Sequence, residues 1–205
     1  RKLRWSDGHP FTADDIMFWW EGWAKWSDPE TGDQLGWVPE IVKVRGKEGR
    51  IEKVDDHTVQ YIFPEPNGIF LEFMTGGRGS AFMPMPEHYL RPLHPEFGNP
   101  EKIQEMMDAW ELPSAISVFK RAHRELENNP ELPTLGPWTM RTYRSGGPYT
   151  LVRNPYYYAV DEQGNQLPYL DRVVFQVKNK KMVDISVVNG ESSIQEATNF
   201  NDYTE

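Results

Sequence analysis

The stretch Arg4-Trp5-Ser6-Asp7-Gly8-His9-Pro10-Phe11-Thr12-Ala13-Asp14-Asp15-Ile16 sets the reading of the whole chain. Ser6-Asp7-Gly8 has the composition of a tight turn. Thr12 then stands as an N-cap with Asp15 at N3, an acidic variant of the capping box, and Asp14 and Asp15 sit favourably at the positive end of a helix dipole. Ile16, Trp19, Trp20 and Trp23 follow at helical spacing, which predicts a helix burying a broad aromatic face. Asp28-Pro29 and Thr31-Gly32-Asp33 end it.

Working outward, Ile41-Val42-Lys43-Val44, Ile51-Glu52-Lys53-Val54 and Thr58-Val59-Gln60-Tyr61-Ile62-Phe63 alternate with period two. Gly46, Gly49 and the Asp55-Asp56-His57 step fall between them, so the segment predicts an antiparallel meander. Asn67 predicts the cap of a short helix carrying Ile69, Phe70, Leu71 and Phe73, ahead of a Gly76-Gly77-Arg78-Gly79 loop. Three interrupted helices are expected next. One starts at Pro86 and runs to Leu93. A second opens at Pro100 with Ile103, Met106, Met107 and Trp110 on one face. A third is capped by Ser114, packs Ile116, Phe119 and Ala122, and ends near Asn128. The proline-rich run from Asn129 to Pro137 is the best domain boundary. Beyond it Trp138 to Tyr143 and Tyr149 to Arg153 flank Ser145-Gly146-Gly147 as a hairpin. Arg172 to Lys178 reads as another strand, and Met182 to Val188 as a helix ended by Gly190. The class is α+β, antiparallel strands with packed helices.

Composition narrows the function. The 205 residues are 38% hydrophobic and 13% aromatic, with 17 Pro and 16 Gly, which describes a folded, loop-rich protein. A net charge of −9 argues against nonspecific nucleic-acid binding, which needs a basic face. The longest apolar run, Ile16 to Trp20, is far too short to cross a bilayer. The stretch opens on Arg1-Lys2-Leu3-Arg4 and runs straight into the structured motif, with no signal peptide read in it. There is no Cys, which removes disulfides, thiolate metal sites and cysteine nucleophiles. The five His have no ligand spacing and read as isolated surface or turn residues, so no metal is assigned. The carboxylate pairs Asp14/Asp15, Asp55/Asp56 and Asp161/Glu162 are sequence neighbours that cannot face each other across a substrate. No nucleophile elbow is present. No catalytic residue and no cofactor is therefore assigned. Trp19, Trp20 and Trp23 sit at core spacing, whereas Trp5, Trp138 and Tyr156-Tyr157-Tyr158 lie at element edges, where rings can stack on a ligand.

The opening stretch closely resembles the signature of family-5 extracellular solute-binding proteins, which include the dipeptide- and oligopeptide-binding receptors of bacterial ABC importers. Further stretches fall in the family's order. Leu135-Gly136-Pro137-Trp138 is similar to its G-P-(Y/W) step. Arg153-Asn154-Pro155-Tyr156-Tyr157-Tyr158 resembles R-N-P-x-Y-(W/Y), and Leu167-Pro168-Tyr169-Leu170-Asp171-Arg172-Val173-Val174-Phe175 resembles P-Y-L-D-x-(V/I)-x-F. Gly190-Glu191 with Ile194-Gln195 is similar to G-E-x-D-x-Q, departing from it by the missing Asp near Ser193.

This resemblance implies part of a periplasmic binding protein-like II fold of the dipeptide-binding type. Residues 1–133 would be the extra α+β domain of the first lobe and 134–205 part of the ligand-binding lobe, a β-sheet plus helix. The second lobe would be absent, so the chain is read as an excised fragment. It implies binding without chemistry: two lobes close on a peptide or oligosaccharide, and the closed form is presented to the membrane permease of an ABC importer. The receptor would be monomeric and periplasmic or extracellular, either free or lipid-anchored. Gly136, Trp138 and Gln195 are the ligand-contact candidates. Gly136 would allow close backbone approach, Trp138 would stack, and Gln195 would hydrogen-bond. The alternative, suggested by acidity and Trp content, is a carbohydrate-active enzyme or carbohydrate-binding module, which would predict two carboxylates opposed across a cleft and turnover of an oligosaccharide.

Overall fold

The Thr12 hydroxyl accepts from the Asp14 amide at 3.3 Å and the Asp15 carboxylate accepts from the Thr12 amide at 2.9 Å. In this computed structural model, that box starts helix α1 (Ala13–Met17) as the sequence predicts. The structure describes residues 2–75, 84–124, 129–141 and 148–194. α1 continues into a wider π-helical segment, Phe18–Ala24, closed by the Lys25 amide on the Trp20 carbonyl at 3.1 Å. Trp19, Trp20 and Trp23 are all buried. They join Val118 and Phe119, Leu90 and Leu93, and Val42 and Ile51 in one apolar cluster that extends from Phe18 to Leu132.

His94 corrects the expectation of surface histidines. It is fully buried, its Nε2–H donates to the Gly22 carbonyl at 2.8 Å, and its Nδ1 accepts the amides of Glu96 and Phe97. Those partners require the neutral Nε2–H tautomer. Burial accordingly pushes its pKa down, against the Gly22 hydrogen bond. The ring thereby satisfies a carbonyl at the end of the helix, where no intrahelical partner exists.

The predicted meander is two separate ladders. β1 (Lys43–Val44) and β2 (Lys47–Glu48) pair across Arg45-Gly46, both at positive φ, and β3 (Arg50–Asp55) pairs with β4 (Thr58–Ile62). Ile41 and Val42 belong to a 3-10 turn, Glu40–Val42, in which the Val42 amide turns back onto Pro39 at 3.0 Å. Val42 is buried there and Ile41 half-buried, so a turn with one face inward mimics strand alternation. Helix α2 (Phe70–Thr75) forms, but Asn67 does not cap it; its side-chain amide donates to the Ile41 carbonyl at 2.7 Å. The Gly76–Gly79 loop lies outside the described residues.

Helix α3 (Glu87–Leu90) follows Pro86 and tightens into a 3-10 turn, Arg91–Leu93. α4 (Pro100–Trp110) has Pro100 in its first turn and Asn99 as N-cap, and α5 (Ala115–Ala122) is capped by Ser114, earlier-ending than predicted. Past the boundary, β5 (Trp138–Met140), β6 (Tyr149–Arg153) and β7 (Arg172–Phe175) make an antiparallel sheet in that order, with β5 and β7 shorter than expected. The Ser145-Gly146-Gly147 turn lies outside the described residues. Helix α6 (Lys180–Val188), capped by Asn179, is followed by Gly190 at φ 70°.

Candidate functional site

Three stretches distant in sequence interlock where β5 begins. The Ser6 amide donates to the Thr134 carbonyl at 3.0 Å, and the Thr134 amide donates to Ser6 Oγ at 3.0 Å, a reciprocal clasp. Asn154 is fully buried and serves all its groups: its amide donates to the Pro137 carbonyl, its Nδ2 to the Gly136 carbonyl (both 2.9 Å), and its Oδ1 accepts the Tyr156 amide. Tyr156 is thereby turned onto Gly8, where an added Cβ would stand 3.0 Å from the phenol Cζ and Oη. Gly8 also has φ +91°, so glycine is required there for both space and conformation.

The turn before α1 carries its own charge arrangement. A carboxylate only accepts, so the His88 Nε2–H donates to Asp7 Oδ2 at 2.7 Å, and the His9 ring stacks on His88 at 3.8 Å. Desolvation works to raise the Asp7 pKa, but the His88 ring and the His9 amide overcome it and hold the carboxyl below its ordinary range. Asp15 shows the opposite balance: desolvation raises its pKa despite the amides of Thr12 and Glu87 that it accepts. Trp5 is 2% exposed against Phe11 and His88, which removes it from the candidate stacking rings. The cause is local, because the Trp5 amide and carbonyl both close the turn, on His9 and Gly8, and fold the ring inward.

Gly136 and Trp138 lie two residues apart at the entry to the sheet. The Gly136 amide donates to Thr134 Oγ1 at 3.0 Å, and an added Cβ would meet only that oxygen, at 3.3 Å. Trp138 is half-buried opposite Arg153 and makes no ring contact among the described residues. Alternation puts it on the face of buried Leu151. Gln195 lies outside the described residues, so the structure unites two of the three candidates. Among the described residues, no cluster of three or more His, Cys, Asp or Glu could hold a metal ion. No helix among them is long and apolar enough to cross a membrane.

Two open grooves flank this junction. One of about 760 Å³ is lined by Lys2, Arg4, Tyr156, Tyr157, Tyr158 and Gln166. The other, about 670 Å³, is lined by Arg141, Arg153 and Arg172 together with Thr150 and Val152. The tyrosine run is readable in the sequence as an edge feature. The arginines carry no sequence signal, because only strand register assembles them.

The motifs that meet at this junction are those of one family, and comparison with known proteins bears it out. Residues 1–198 match the family described as bacterial extracellular solute-binding proteins, family 5 Middle. The chain belongs to that family. It is 31% identical over 202 residues to the periplasmic alpha-galactoside-binding protein of Rhizobium meliloti, covering 96% of this chain and 26% of that protein. Among solved structures it is similar to an oligopeptide-binding protein, OppA, with 37% identity and a TM-score of 0.76 over 92% of this chain and 28% of the other. It is also similar to the periplasmic binding protein MelB of Agrobacterium fabrum C58 in complex with stachyose, with 30% identity and a TM-score of 0.66 over 92% and 25%. The chain thus spans about a quarter of the length of these relatives. Family-5 proteins are binding proteins rather than enzymes, and the relatives are periplasmic or extracellular solute-binding proteins.

Proposed function

We propose that this chain is part of the solute-binding receptor of an ABC importer, which captures an oligosaccharide or oligopeptide and delivers it to the membrane permease without chemistry. The family match over residues 1–198 carries this reading. Both ligand classes stand in the names of the relatives, an alpha-galactoside and stachyose on one side and oligopeptide on the other. The receptor is monomeric and acts outside the cytoplasmic membrane, free or lipid-anchored.

Residues 1–133 form the extra α+β domain of the first lobe and 134–205 part of the ligand-binding lobe. The boundary is supported by the apolar cluster, whose described members stop at Leu132. Gly136, Trp138 and Gln195 contact the ligand. For Gly136 the support is its place at the sheet entry, where an added Cβ would press on Thr134 Oγ1 at 3.3 Å, and for Trp138 a half-buried indole without a ring partner among the described residues. Gln195 rests on its place in the family-like segment.

Native mass spectrometry of the complete natural protein, purified without refolding, tests the reading, followed by calorimetry with stachyose and with short peptides. A retained oligosaccharide or peptide, or saturable binding of one class, is expected. Hydrolysis of stachyose with turnover, or failure to bind either class, would overturn it.

A further inference from the structure

Residues 134–137 lead into β5 without belonging to any helix or strand, so no ladder fixes their backbone. Ser6 and Asn154 do so instead. At the start of the segment the Thr134 amide donates to Ser6 Oγ and the Thr134 carbonyl accepts the Ser6 amide, both at 3.0 Å. At its end the Asn154 amide donates to the Pro137 carbonyl and Asn154 Nδ2 donates to the Gly136 carbonyl, both at 2.9 Å. The same Nδ2 lies 3.5 Å from the Thr134 carbonyl, and the Gly136 amide closes onto Thr134 Oγ1 at 3.0 Å.

The two fasteners belong to different regions. Ser6 lies in the turn before α1, beside the tryptophan-rich core, whereas Asn154 directly follows Arg153, the β6 residue paired with Trp138. Asn154 therefore fixes where β5 begins and the course of the backbone that carries Trp138. It is fully buried, and its Oδ1 is committed to the Tyr156 amide at 2.9 Å, so one side-chain orientation serves all its partners. A buried amide does not give up such partners without cost. An irregular segment left untied samples many conformations, and a solute that needs one of them binds more weakly by the cost of ordering it.

We propose that Ser6 and Asn154 are positioning residues for solute binding: they hold residues 134–137 in the bound shape ahead of the solute, so that Gly136 and Trp138 meet it already ordered. This rests on the reading that Gly136 and Trp138 contact the solute. Ser6 and Asn154 act through that segment and not by contact. The serine of the opening turn, 128 residues away from Thr134, thereby bears on binding as directly as the asparagine beside the sheet.

The test is calorimetry on the complete natural protein with stachyose and with pentaalanine, following whichever the parent binds, at a temperature where every variant is folded. Asn154→Asp keeps the acceptor for Tyr156 and loses the donor to Gly136, and a loss of about tenfold in affinity is expected. Ser6→Ala, a milder change that decides the matter alone if Asn154→Asp does not fold, should lose about threefold. Val118→Ala, a buried core truncation far from the segment in sequence, should lower the melting temperature at least as much as Ser6→Ala yet bind within about twofold of the parent. With fluorotryptophan incorporated, the Trp138 resonance, assigned through Trp138→Phe, should move in Ser6→Ala and Asn154→Asp and stay in place in Val118→Ala. Trp138→Ala separates the two readings. If it binds as the parent does, the contact itself fails and the proposal with it. If it weakens binding while Ser6→Ala and Asn154→Asp do not, or if Val118→Ala loses as much as they do, the positioning role alone is overturned.

Discussion

Sixteen apolar side chains among the described residues between Phe18 and Leu132 close on one another, with Trp19, Leu90, Val118 and Phe119 at or below 1% exposure. From Tyr149 onward, Leu151 is the buried apolar side chain among the described residues, while Val174, Phe175, Val177, Ile185 and Val188 stand exposed. The second region does not lack apolar residues; within this chain, which spans about a quarter of its relatives' length, they stand uncovered. Among the described residues, a three-stranded sheet with one helix covers little of its own surface, whereas five helices (α1 to α5), two hairpins and a π-helical segment enclose a core. Local stability is expected to follow that division, being global around Trp19 and marginal in β7 and α6.

Substitutions should divide along the same line. Phe119→Ala removes a fully buried ring and should cost about 3–5 kcal/mol in chemical denaturation. If it cost no more than a surface change, the core would not be where the contacts place it. Asn154→Ala strands the Gly136 carbonyl and the Tyr156 amide, and about 2 kcal/mol is expected, with faster amide exchange confined to residues 134–138. A loss spread evenly through both regions would show that the clasp is not a local device.

Acid should weaken the first region selectively. Burial lowers the folded-state pKa of His94 and His123, so protons bind the unfolded chain first. Their stabilising contribution is complete above the unfolded value of about 6.5 and is lost as pH falls through the depressed folded values. His94→Gln keeps a donor for Gly22 and cannot titrate, so its melting temperature should fall less between pH 7 and pH 5 than that of the parent. An identical fall in both would remove His94 as a source of acid sensitivity. Val188→Ala, at 86% exposure, should change stability by less than about 0.5 kcal/mol; a larger effect would mean the α6 face is covered in solution.

What was legible in the sequence was local. The Thr12 box, Ser114 and the Gly190 stop after α6 act within a few residues, alternation found β3 and β4, and a glycine turn and an apolar run found β5 to β7; the Asn179 cap, which starts α6 two residues ahead of Met182, was not read. The 3-10 turn at Ile41-Val42 was misread because it buries one apolar side chain in two, as a strand does. His94 was unreadable because its partner carbonyl, Gly22, is 72 residues away. The Gly136–Trp138 pairing came through a family motif, whereas Asn154, which holds it, acts by burial that only the fold reveals. The gathering of Arg141, Arg153 and Arg172 in one groove needs the register of three strands, which composition does not encode.

The proposed division makes residues 134 onward a wall of the ligand site and the tryptophan-rich region a separate body. Hydrogen exchange on the complete natural protein, with and without its saturating solute, tests it most directly. Added protection is predicted at Gly136 to Met140 and in β6, with no change across Ala13 to Ala24. Ligand protection appearing in Ala13 to Ala24, with none at Gly136 to Met140, would contradict it.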